Sequence, residues 1–183
     1  MIKDNFEFCV FLENERVRIQ PLSEKDFEIL YKVAADPLLW EQHPNKVRYQ
    51  REVFATFFKG AMESGGAFLV FDAVTNMPIG CSRYYEPDEI AKSVSIGYTF
   101  IARDHWGGTY NHALKTLMLD HAFKFVDKVI FHIGAFNIRS QKAIEKLGAV
   151  KVEEVEMAYY GERNNLNFVY EIEKSNWEKR KSL

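Results

Sequence analysis

The pair Gly107-Gly108 lies between a β-type apolar run, "SVSIGYTFIA", and a helical pattern. Glycines let a backbone come close to a phosphate, and the first N–H groups of a helix are free to point at it. The pair is therefore a candidate anion site, with a plain turn as the alternative. Neither Cys9 nor Cys81 has a Cys or His at metal-ligand spacing, so no metal is expected. Either cysteine could be a nucleophile or a small buried apolar residue. Glu41 and His43, in "LWEQHP", are candidate bases or ordinary loop residues. His105, His112 and His121 read as solvent-facing or helix-lining, and His132, mid-strand, as a satisfied core imidazole.

The elements that must position these groups follow from periodicity. "RVRIQPL" alternates as a strand does. Ser23 with Asp26 three residues on has capping-box spacing before a helix carrying Phe27, Leu30, Tyr31 and Ala34 on one face. A second helix is expected in "QREVFATFFKGAMES", stopped by Gly65-Gly66. Strands follow in "AFLVFDAV", "IGCSRYYEP" and "SVSIGYTFIA", then a helix with Leu114, Leu117, Met118, His121, Ala122 and Phe125 in phase. "KVIFHIGAF" reads as a strand, "NIRSQKAIEKLG" as a short helix with Gly148 as its cap, and "VKVEEVEMAYY" and "LNFVYEIE" as strands. The expected architecture is a single α/β (α+β) domain over residues 1–183, with about four helices and about seven strands.

The 183 residues suffice for a sizeable core, and an aromatic content of 15% makes that core rich in Phe and Tyr. The net charge of −2 comes from mixed charges with no basic stripe, which argues against nucleic acid as the ligand. Apolar runs are far too short to span a membrane, and the first fifteen residues do not read as a secretory signal. A cytoplasmic protein is expected.

The order of elements, with glycines at the central strand-to-helix turn, resembles the GNAT N-acetyltransferase superfamily from Arg16 to Trp177. Two stretches carry the resemblance: "WGGTYN", Trp106 to Asn111, and "NIRSQKAIEKLGA", Asn137 to Ala149. The second is most similar to the ribosomal-protein-alanine N-acetyltransferase branch. The first departs from the family pattern Q/R-x-x-G-x-G/A at Trp106, Thr109 and Asn111.

The resemblance implies a mixed, mostly antiparallel GNAT-like sheet and acetyl-CoA as cosubstrate. Trp106, Gly107, Gly108, Thr109, Tyr110 and Asn111 would hold the pyrophosphate, with Thr109 and Asn111 able to cap the helix or bond a phosphate oxygen. The edge of the strand ending at Phe100 and Ile101 would pair with the pantetheine arm. Asn137 would orient cofactor and acceptor, and Ser140 would donate to the CoA sulfur. Each could instead merely cap a helical turn. The family's acidic Tyr falls at Ile144 here, and a Glu common in the ribosomal branch falls at Ser95. The implied reaction is direct acetyl transfer to a primary amine, a small molecule or a protein N-terminus. A non-catalytic acyl-CoA sensor of the same fold is the alternative. A homodimer, paired through the C-terminal aromatic strands, is a further expectation.

Overall fold

The computed structural model describes residues 10–182; Cys9 lies outside them. One eight-stranded sheet runs in the order β1-β2-β3-β4-β5-β6-β8-β7. Its strands are β1 (Leu12–Glu13), β2 (Val17–Pro21), β3 (Ala67–Asp72), β4 (Pro78–Asp88), β5 (Ser93–Ile101), β6 (Lys128–Gly134), β7 (Val150–Ala158) and β8 (Asn164–Glu173). Neighbours are antiparallel except β5 and β6. The helices are α1 (Phe27–Ala34), α2 (Arg51–Ser64), α3 (Tyr110–Ala122), α4 (Ile138–Glu145) and α5 (Lys174–Lys181).

The sheet is covered on both faces, which is why β3 is an unbroken apolar run. Phe68 and Val70 face α3, α4 and α5, in a core with Leu114, Met118, Ile144 and Trp177. Ala67 and Leu69 face α1 and α2, in a second core with Leu30, Phe54, Phe57 and Phe100. The alternation fails once, in β5. Val94 and Ile96 face the first core, whereas Tyr98 and Phe100 face the second. Opposite Cys81 to Arg83, β5 runs from Phe100 to Gly97, one residue more than β4. The extra residue makes a bulge, and Tyr98 takes a left-handed φ of 52°.

The mixed GNAT-like sheet is present, with one more strand and one more helix than expected. β1 has two residues, too few for a period. α5 buries only Trp177, so it lacks an apolar stripe; Trp177 Nε1 and Lys181 anchor it on Asp120. Ser23 and Asp26 do form the expected start, the Asp26 carboxylate accepting from the Ser23 backbone N–H and hydroxyl. α3 ends at Ala122, before Phe125, and α4 is capped at Lys146 rather than Gly148.

Candidate active site

β5 and β6 pair over only three residues, Ser93–Ser95 with Lys128–Ile130. Both strands then continue, β5 to Ile101 and β6 to Gly134. They part like a fork, and from Ile96 on the β6-facing edge of β5 has no partner strand. Such an edge offers backbone N–H and C=O groups to a ligand. α3 and α4 follow these two strands, so both helices begin at the fork's open end. Parallel strands characteristically place ligand crevices there.

The glycine turn is built for close approach. Gly107 has φ 72°, a conformation that disfavours any side chain, and nothing lies within 4 Å of where its Cβ would stand. A Cβ on Gly108 would meet only Tyr110, at 3.9 Å. Thr109 is the N-cap of α3, but its side chain makes no cap bond. The expectation that its hydroxyl caps the helix is therefore corrected. Among the described residues, the first-turn amides of α3 have no side-chain acceptor.

Trp106 and Tyr110 have structural duties at this turn. Trp106 Nε1 donates to the Ile101 carbonyl at 2.8 Å, which removes that carbonyl from the free edge expected there. The Phe100 and Ile101 side chains are buried in opposite layers, so only backbone is available at these positions. The Tyr110 hydroxyl donates to Asp72 at 3.0 Å, and its ring meets His105 edge-on. Asp72 also accepts from the Val74 and Thr75 amides. The Val74 bond above all, then those from Thr75 and Tyr110, holds its carboxyl down at about 2. Asn111 is half-buried in the first turn of α3.

Asn137 caps α4, its Oδ1 accepting from the Ser140 amide at 3.2 Å. Gln141 Nε2 donates to the Gly134 and Ala135 carbonyls and ties the helix start to the end of β6. Ser140 is half-buried, and its hydroxyl has no protein partner among the described residues. Ile144 is 2% exposed and belongs to the core. Arg139, between Asn137 and Ser140, was missed from sequence. Its guanidinium stacks 3.6 Å over the Trp106 ring and donates to the Leu39 carbonyl. It bridges the two motifs and sets a cation beside the residue that departs from the family's Gln or Arg. Adjacency in "NIRS" was the only signal, because the stacking partner is 33 positions away.

On the α2 face the fork is walled by aromatic groups. A Cβ on Gly97 would lie 2.9 Å from the Tyr85 ring, so its absence lets Tyr85 cross β5. The Tyr85 hydroxyl then reaches His132 Nδ1 on β6 at 2.9 Å. Burial lowers the His132 pKa, so the ring is neutral at pH 7. Tyr98 meets both Tyr85 and Tyr159 edge-on. His43 packs on Trp40 and Tyr159, with Asn45 N–H on Nδ1 and Arg48 at Nε2. Burial first, and Arg48 second, holds it well below its ordinary pKa. With both nitrogens engaged it is a poor base, and Glu41 is exposed. Arg48 is ion-paired to Glu162 beside a surface groove that Phe57 also lines. Cys81 is fully buried, and burial pushes its thiol up to about 12, which removes it as a nucleophile.

On the α3 face, Lys115 Nζ donates to Thr99 Oγ1 at 2.5 Å and to Ser82 Oγ at 3.4 Å, with no carboxylate in reach among the described residues. Burial pulls its pKa down to about 7 from 10.5. Between those values the unfolded chain holds a proton that the folded protein has released. This group therefore makes stability rise with pH from about 7 upward, and below about 7 the cost of burying its charge is fully present. Lys115→Met is expected to remove that slope and to raise the melting midpoint at pH 6 by about 3–8 °C. Melting curves of both proteins between pH 6 and 9 check this; a lower midpoint for the variant would show that the ammonium is stabilising.

Comparison with known proteins agrees with this geometry. The acetyltransferase (GNAT) domain family matches residues 16–150. A GCN5-related N-acetyltransferase from Brucella melitensis has the same fold, with TM-score 0.80 and 16% identity over 95% of this chain and 83% of that one. A spermidine N-acetyltransferase from Vibrio cholerae, solved with CoA and spermine, gives TM-score 0.68 and 18% identity over 90% and 99%. Mycobacterium smegmatis RimJ in complex with CoA-disulfide gives 0.71 and 15% over 90% and 88%. The chain belongs to the acetyltransferase (GNAT) domain family.

Proposed function

We propose that the fork binds acetyl-CoA and that the protein transfers the acetyl group to a primary amine by direct attack in a ternary complex. The observation that carries this reading is the parting of two parallel strands after three paired residues, with two helix starts at the open end. The residues fit the cofactor. Open space over Gly107 and Gly108 and the uncapped amides of Thr109 to Asn111 suit a pyrophosphate, with Arg139 as the nearby cation. The unpaired edge from Ile96 to Phe100 suits the amides of the pantetheine arm. The solved neighbours with bound CoA support the same assignment.

Acetyl-CoA supplies an activated thioester when bound. Ser140 contributes a hydroxyl free to donate to the departing sulfur, and Asn137 fixes the turn that carries it. An alkyl amine has a pKa of about 10, so a group near the fork must accept its proton. His132 takes that role: it is neutral, and among the described residues only its Nδ1 has a protein partner. Among the solved neighbours, the spermidine N-acetyltransferase in complex with CoA and spermine supports an amine as the acceptor.

Acetyl-CoA at about a hundred times its dissociation constant is expected to stabilise the fold by about 2.7 kcal/mol. ATP and NAD should add little. Gly107→Val should abolish the effect, because it strains the backbone and fills the open space. Thermal shift measurements decide it, and an unchanged midpoint with acetyl-CoA would end the reading. A protein that binds acetyl-CoA yet acetylates no amine would be a sensor, the reading favoured by Ile144 in the core and Ser95 at the fork.

A further inference from the structure

We propose that Arg83 binds a carboxylate, and that the acceptor is an amine carrying one, as an amino acid does. This rests on the acetyl-transfer reading and names its acceptor class.

Three cations are buried around the fork, and each meets the cost of burial differently. Arg48 is paired with Glu162. Lys115 can lose its proton. Arg83 does neither. It is 3% exposed; among the described residues its Nε is buried without a partner and its one hydrogen bond is a long 3.4 Å contact to the Phe57 carbonyl. Among the described residues no carboxylate pairs with it. A guanidinium cannot shed its proton at any ordinary pH. The Tyr98 ring at 3.9 Å and the Phe57 ring at 5.5 Å give cation–π contacts. Those contacts offset only part of the cost of burying a charge. The balance calls for an anion.

The position suits an acceptor. Arg83 pairs with Gly97, two residues beyond the last β5–β6 pair, on the same face as Tyr85 and His132. Tyr98, half-buried on the bulge at φ 52°, covers the guanidinium. Phe57 is shared with Arg48, whose ion pair flanks the surface groove, so a route from solvent adjoins the site. The charge balance favours a carboxylate over a phosphate. Two guanidinium groups against the Glu162 carboxylate leave one positive charge, which a single negative charge neutralises. A guanidinium also offers two parallel N–H donors that match carboxylate geometry. A polycationic acceptor would meet the wrong sign here.

The test compares amino acids with the corresponding amino-acid amides as acceptors, and uses glutarate as a probe that needs no turnover. Wild type is expected to favour the acids in kcat/KM by about thirtyfold or more. Arg83→Met should bring that ratio to about one, chiefly through KM, and Arg83→Lys should keep part of it. Glutarate should raise the melting midpoint of wild type and not that of Arg83→Met. In anion-poor buffer Arg83→Met should melt at or above wild type, since it removes an unpaired buried charge; a purely structural arginine would lower it. Preference for amides or polyamines, or a glutarate effect that is absent or survives in Arg83→Met, overturns the proposal. Should no amine on the panel react, the glutarate shift decides. The acetyl-CoA shift in wild type is read separately: its loss sinks the cofactor assignment, whereas its presence with an amide preference sinks Arg83 alone.

Discussion

Ser140→Ala is expected to lower kcat and kcat/KM together by about ten- to a thousandfold, with acetyl-CoA affinity nearly intact. The reason is the division of labour at the start of α4. The Ser140 backbone N–H is what Asn137 holds, and alanine keeps it. The hydroxyl has no protein partner among the described residues, so its loss leaves none of them unsatisfied. What disappears is a donor that matters most as charge builds on the departing sulfur. Asn137→Ala should behave differently. It removes the cap, at a cost of about 1 kcal/mol, and frees the turn, so binding weakens as well. Steady-state kinetics with calorimetric acetyl-CoA titrations separate the two variants. Full activity in Ser140→Ala would make the serine structural.

Gly80→Ala is expected to be among the most damaging single methyl additions in the protein. A Cβ there would stand 2.0 Å from the Phe100 carbonyl oxygen and 3.1 Å from Ile101 Cα. Both are backbone atoms, so no rotamer change relieves the contact, and the end of β5 must move. That end carries the Ile101 carbonyl, which holds Trp106 and through it the Arg139 stack. A loss of about 3 kcal/mol is expected, a fall in midpoint of about 6–12 °C. Acetyl-CoA binding should fall in the protein that still folds. A variant melting within about 2 °C of wild type would mean that β4 and β5 are not so closely apposed.

What could be read from sequence was what a local pattern encodes. The strand–glycine–helix order around Gly107 and the helix opening at Asn137 both carry their signal within a dozen residues, and both stand as expected. Asn137 even serves as the plain N-cap that was its alternative reading. The fork itself was not legible, because strand pairing that stops after Ser95 leaves no mark in the strand's own composition. The Tyr98 bulge was hidden for a similar reason: "IGYTF" looks like ordinary alternation, and only the register against β4 shows the extra residue. His132 read as a core imidazole, yet the small neighbour Gly97 lets Tyr85 reach it beside the cleft. Arg83 carried no signal in "CSRYY", because only the cover by α2 makes it interior. Arg139 depended on a tryptophan from another motif. Each of these is a tertiary pairing, and a helix period or strand alternation cannot report one.

The most direct test of the central claim is a titration of the isotope-labelled protein with acetyl-CoA, followed through its backbone amide resonances. The largest shifts are expected at Gly107 to Asn111, along Ile96 to Phe100 and at Asn137 to Ser140, saturating together. Saturating shifts confined to other surfaces, such as the groove beside Glu162, or no shifts at all, would contradict it.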